Sequence, residues 1–99
     1  MGHRGSIIAT PAGIRQWPVT RFDEITPESL LPVVEEAEGI DFLLIGTGHD
    51  IAFLPSAWRE HFRAHGITLE GMATGAAART YNVLVGEDRR VAAALIAVD

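Results

Sequence analysis

The residues with the most evident chemical potential are Gly46-Thr47-Gly48, which follow the apolar run Asp41-Phe42-Leu43-Leu44-Ile45. Glycines on either side of a hydroxyl let backbone N–H groups approach an anion closely, as phosphate-binding turns do at a helix N-terminus. Glu70, at the end of the next expected strand, lies at roughly the ribose-binding distance from this turn. The dinucleotide pattern is incomplete, however. Ile51 stands where a third glycine belongs, and His49 to Leu54 separate the turn from the helix that Pro55 opens. A chain of 99 residues also has no room for the second half of a dinucleotide fold. A tight turn at the carboxyl end of a strand accounts for the same residues.

A second constellation begins at Thr74. A helix starting there directs the positive end of its dipole outward, and Arg79 and Asn82 share its polar face with Thr80 beside them. Crossover connections place this helix start on the same side of the sheet as Gly46-Thr47-Gly48, where ligands of open α/β sheets bind. Gly46, Thr47, Gly48, Thr74, Arg79, Thr80 and Asn82 are therefore the candidate ligand-binding or docking set. An ordinary capped helix with a solvated face is the plain alternative.

Other chemistries find weaker material. His61 and His65 are spaced to share one helix face, with His49 and Asp50 as further donors, but His61-Phe62-Arg63-Ala64-His65 lacks the glutamate of the zinc-protease motif. No metal site is assigned. Ser6, Ser29 and Ser56 lie near element starts, where capping explains them, and no Gly-x-Ser-x-Gly elbow exists. All eight basic residues are arginine, which excludes Schiff-base and P-loop lysines. The absence of cysteine excludes thiol nucleophiles, disulfides and Cys-based metal sites. No catalytic residue and no cofactor is assigned.

The elements that must position these residues are legible. Gly5 to Thr10 reads as a strand, Pro11-Ala12-Gly13 as a turn, and Ile14 to Trp17 as the return strand of a hairpin that Pro18 stops. Thr26-Pro27-Glu28 reads as a helix start, with Pro32 interrupting the helix or shifting its start and Gly39 ending it. Asp41 to Ile45 is a strand buried on both faces. The next helix runs from Pro55 to Gly66 with a Leu54, Trp58, Phe62 stripe. Ile67 to Glu70 is a third sheet candidate. Thr74 caps a helix to about Gly86, whose apolar face centres on Ala77, Tyr81, Leu84 and Val85. Glu87 to Arg90 turns the chain as a locally paired charge cluster, and Val91 to Val98 is the last strand. The order predicts one α/β domain over residues 1–99. Its mixed, mostly parallel sheet is flanked by helices in three layers, with an N-terminal β-hairpin.

Hydrophobic residues make up 47% of the chain and charged ones 21%, a balance that excludes wholesale disorder. The net charge is −5, and the stretch from Asp23 to Asp41 holds seven acidic residues and no basic one. A nucleic-acid groove needs the opposite sign, so nucleic acid is not an expected partner. The acidic run reads as a solvated helix face or a docking surface for a basic partner. No apolar run approaches a membrane span, and the first residues lack signal-peptide character. The expected compartment is the cytoplasm, with contact to a membrane peripheral at most.

Several segments together resemble a known family. These are His3-Arg4-Gly5-Ser6-Ile7-Ile8 with Pro11, Gly13 and Trp17; Leu43-Leu44-Ile45-Gly46-Thr47-Gly48; Met72 with Thr74; and Ala77 with Arg79-Thr80-Tyr81-Asn82. Glu87, Arg89 and Val91-Ala92-Ala93-Ala94-Leu95-Ile96 complete the set. The chain is similar to the domain of unknown function shared by small bacterial and archaeal proteins and mitochondrial complex I assembly factor 3. The resemblance implies a three-layer α/β fold with a mixed sheet and no established activity, cofactor or catalytic set. It also implies action through protein partners. Family members usually carry an extra segment before the first strand. Ala73 and Ala78 stand where an aspartate and a cysteine are often found, so a site needing those groups is absent here.

The resulting expectation is a non-enzymatic interaction protein, an accessory or assembly factor for a respiratory or membrane complex. Its partners would be proteins, and a homo-oligomer remains open. The alternative is a small-molecule or anion-binding domain, an enzyme included, using Gly46-Thr47-Gly48 and the helix start at Thr74.

Overall fold

The computed structural model describes residues 5–98. His3 and Arg4, which open the family-like pattern, lie outside them. Five strands form one sheet: β1 (Ser6–Thr10), β2 (Gly13–Trp17), β3 (Phe42–Gly46), β4 (Thr68–Met72) and β5 (Val91–Leu95). Their spatial order is β2-β1-β5-β3-β4. β5, β3 and β4 pair in parallel, whereas β1 runs antiparallel to both β5 and β2. Four of the five strands thus point the same way and β1 alone opposes them. This is the mixed, mostly parallel sheet with an N-terminal hairpin that the element order predicts.

Two helical layers cover the sheet. On one face Ile8, Leu43, Ile45, Leu69, Ala92 and Ala94 pack with Val33 of α1 (Leu31–Glu35) and Phe62 of α2 (Ser56–Arg63). On the other face Leu44, Val91 and Ala93 pack with Tyr81 and Leu84 of α3 (Thr74–Gly86). The alternation of these two sets along β3 and β5 is the period-2 signature of strands buried on both sides. The Leu54, Trp58, Phe62 stripe does face the core, and Phe62 is fully buried. α2 ends in a Schellman pair: Ile67 N–H donates to the Phe62 carbonyl at 2.9 Å and Gly66 N–H to that of Arg63 at 2.9 Å. Gly66 supplies the left-handed residue, at φ +80°.

Four expectations need correction. The helix expected from Thr26 is broken into a 3₁₀ turn (Glu28–Leu30), the short α1 and a second 3₁₀ turn (Ala37–Gly39). Pro32 is tolerated only in the first turn of α1, where its missing N–H has no intrahelical acceptor to lose. Thr74 does not cap α3. Ala73 occupies the cap position, and the Thr74 hydroxyl is engaged elsewhere. β4 continues past Glu70 to Met72, so Glu70 faces Leu44 within the ladder instead of ending the strand. Glu87 to Arg90 is not a local ion-pair cluster among the described residues. Arg90 reaches across to Asp41 at 2.7 Å, and Arg89 lies 5.0 Å from the centre of the Phe42 ring.

Candidate functional site

β3, β4 and β5 all end at one rim of the sheet, and the two loops singled out by sequence meet there. Gly48 N–H donates to Thr74 Oγ1 at 2.9 Å, and Thr74 N–H donates back to the Gly48 carbonyl at 2.8 Å. Thr74 Oγ1 also donates to the Ile96 carbonyl at 2.8 Å. One buried hydroxyl therefore joins the end of β3, the start of α3 and the end of β5. Its neighbour Thr47 closes the other side of the rim. Thr47 Oγ1 lies 2.7 Å from the Asp50 carbonyl and 3.2 Å from that of Met72, and it accepts the Ala52 N–H at 3.2 Å.

Backbone sterics explain the two glycines. Gly48 has φ +108°, a region closed to most side chains. At Gly46 a Cβ would stand 2.9 Å from both Cα and Oγ1 of Thr74. The sequence pattern is thus a close approach of strand to helix, made possible by a missing side chain.

Thr47 and Thr74 are only 7% and 8% exposed, and the hydrogen bonds of their hydroxyls run to backbone groups. They hold the loops together and do not point at an open site. Arg79 is exposed on α3, with Nη1 3.6 Å from where a Cβ on Gly75 would sit. Its guanidinium therefore folds back one turn toward the start of the helix. Thr80 is half-buried and Asn82 exposed. Asn82 lies eight residues beyond Thr74, roughly 12 Å along the axis at 1.5 Å per residue. The structure brings Gly46, Thr47, Gly48 and Thr74 together, leans Arg79 toward them, and leaves Asn82 apart.

The feature that the sequence reading missed is the loop between Thr47 and α2. Its base is fixed by Thr47, and Leu54 is buried where Gly71 leaves room, a Cβ there standing 2.9 Å from Leu54 Cγ. Phe53 next to it is 93% exposed and Ile51 62% exposed. An available signal was that Phe53 is out of phase with the Leu54, Trp58, Phe62 spacing and that Ile51, although in phase with it, lies a full turn ahead of Pro55, where the helix opens.

His61 and His65 are both exposed, with ring centres 5.5 Å apart. No cluster of three or more metal-ligating side chains forms among the described residues. No helix among them is long and apolar enough to cross a membrane.

Residues 1–96 match the family described as a protein of unknown function, DUF498/DUF598. The chain belongs to the DUF498 family. A Rhodobacter capsulatus relative, itself called uncharacterized, is 40% identical over 94 residues, covering 95% of this chain and 70% of that protein. The NADH dehydrogenase [ubiquinone] 1 alpha subcomplex assembly factor 3 of Xenopus tropicalis is 35% identical over 92 residues. The DUF498 chain spans 50% of that protein's length, and 53% and 48% of its Danio rerio and Drosophila melanogaster counterparts. Among solved structures, one called an outer membrane protein from Bartonella henselae superposes with TM-score 0.92 at 46% identity, covering 100% of this chain and 83% of that one. A Bordetella pertussis Mth938-like domain superposes with TM-score 0.80 at 32% identity, covering 93% of this chain and 73% of that one. The fold expected from the DUF498 resemblance is the fold observed.

Proposed function

We infer that this chain is a non-enzymatic interaction protein, an accessory or assembly factor for a respiratory or membrane complex. It works from the cytoplasm and is peripheral to the membrane at most. The named relatives supply the class of role: three are assembly factors of NADH dehydrogenase. The observation that carries the reading is Phe53. A phenylalanine 93% exposed on a loop tethered at its base is a pre-ordered anchor for a protein surface. Large aromatic side chains supply much of the binding energy at such contacts. The neighbouring hydroxyls, by contrast, are already engaged internally.

Purification from the native cell of the unaltered chain and of a Phe53→Asp variant tests this. Subunits of a membrane respiratory complex should accompany the former and be lost with the latter. The fold should be unchanged, because Phe53 contributes little burial. Failure to recover any such subunit would overturn the reading.

Arg79 favours a second reading, an anion- or small-molecule-binding domain at the same rim. Its guanidinium is directed toward the start of α3, where the helix dipole also favours negative charge. A thermal-shift series with phosphate, nucleotides and carboxylates tests it. Stabilisation that disappears in Arg79→Ala supports the reading, and no stabilisation by any of them removes it.

A further inference from the structure

The two edges of the sheet are treated differently. At the β4 edge, Arg59 Nη1 donates to the Leu69 carbonyl at 2.6 Å and covers the strand. At the β2 edge, Gly13 to Gln16 are all exposed, and Ile14 is 67% exposed. The register Thr10↔Gly13 across Pro11-Ala12 makes that pair inward-facing, so the alternation of an antiparallel ladder turns the N–H and C=O of Ile14 and Gln16 outward. An uncovered row of such groups is a template for another strand.

We propose that β2 pairs antiparallel with β2 of a second copy of this chain, joining two five-stranded sheets, with Ile14 opposite Ile14 across a twofold axis. Three observations select this occupant and register. First, Ile14 against Ile14 removes two exposed apolar side chains from water on the α3 side of the sheet. Second, Arg15 then lies opposite Gly13, which has no side chain to obstruct it. The neighbouring register would set Arg15 against Arg15, like charges directly opposed. Third, Arg15 shares the face of its partner Ile8, which packs on the α1 layer, and it has no ion pair among the described residues.

At the Pro11-Ala12 turn that precedes Gly13 lies a depression of about 630 Å³ lined by Pro11, Glu35, Glu36 and Glu38, among others. Glu36 is fixed at its edge, accepting the Ala12 N–H at 3.1 Å and the Thr10 hydroxyl at 2.6 Å. The guanidinium of Arg15 from the second copy enters this acidic depression, and the symmetry repeats the contact. A strand pairing of this length buries less than a standard interface, so the dimer belongs to the weak, concentration-dependent class.

Sedimentation equilibrium of the full chain, from micromolar to low-millimolar concentration, reads the proposal. The mass should rise from 10.7 kDa toward twice that value, and the rise should shrink with added salt. Ile14→Pro removes an outward N–H, and Arg15→Glu reverses the charge facing the glutamates. Each should weaken association roughly tenfold or more. Because Arg15 is exposed, its variant keeps the test valid if Ile14→Pro misfolds. Combining Arg15→Glu with Glu35→Arg should restore part of the association. A chain that stays monomeric throughout, or a dimer indifferent to both single variants, overturns the proposal.

Discussion

Thr74 and Gly48 exchange two hydrogen bonds: the Gly48 N–H donates to the Thr74 hydroxyl at 2.9 Å, and the Thr74 N–H to the Gly48 carbonyl at 2.8 Å. With the onward bond to Ile96, this makes Thr74 the joint of the sheet rim. Thr74→Val keeps the shape but leaves the Gly48 N–H and the Ile96 carbonyl without that partner. It should cost about 1–3 kcal/mol, read as a lower urea midpoint at unchanged slope. Thr74→Ser retains the hydroxyl and should lose clearly less.

Gly46→Ala should also destabilise. Its new methyl meets backbone and side-chain atoms of Thr74 at 2.9 Å and Leu95 Cδ2 at 3.0 Å, so strand and helix must separate. Overpacking of this kind costs about 1–3 kcal/mol. Thermal unfolding of this variant beside Gly39→Ala, where a Cβ would meet nothing within 4 Å, isolates the close approach as the cause.

Asp88 should yield a stabilised variant. It stands at φ 60°, with the Arg89 N–H donating to the Leu84 carbonyl at 2.9 Å, so α3 ends in a Schellman turn whose left-handed residue is not glycine. That conformation costs an L-residue about 1–2 kcal/mol, part of which Asp88→Gly recovers against the greater flexibility of glycine when unfolded. A rise in melting temperature is the expected reading.

Glu24 makes stability depend on acidity. Its carboxylate accepts the Thr20 N–H at 2.7 Å, the Thr20 hydroxyl at 2.9 Å and the Arg21 N–H at 3.2 Å. These bonds, led by the Thr20 N–H, hold its pKa below the ordinary 4.5. The folded state favours the charged form, so this contribution is present above about pH 4.5 and is lost as the pH falls through the depressed folded value. Glu24→Gln should flatten the stability profile in that acidic range and leave its shape near neutrality unchanged.

Much of the architecture was legible in the chain. The Leu54, Trp58, Phe62 spacing, the glycine after α2 and the doubly apolar β3 are local patterns, and local patterns follow from 3.6- and 2-residue periodicities. The meeting of Gly46-Thr47-Gly48 with the start of α3 was also inferable, because parallel strands joined by helices end at one rim. The broken first helix was less legible. Thr26 and Ser29 bond to each other reciprocally, which stabilises a turn as readily as a helix, and Pro32 prevents the segment from continuing as one helix. Arg90 could not be assigned to Asp41 by spacing, since 49 residues separate them.

By itself the sequence determined the class of fold and excluded thiol and lysine chemistry, because composition and periodicity require no knowledge of neighbours. Only the tertiary structure decided what the hydroxyls of Thr47 and Thr74 do. A hydroxyl is equally suited to bind an anion or a backbone group, and the outcome depends on which acceptors and donors the fold brings within about 3 Å. The same holds for Phe53 and Ile14, whose exposure is set by what the rest of the chain fails to cover.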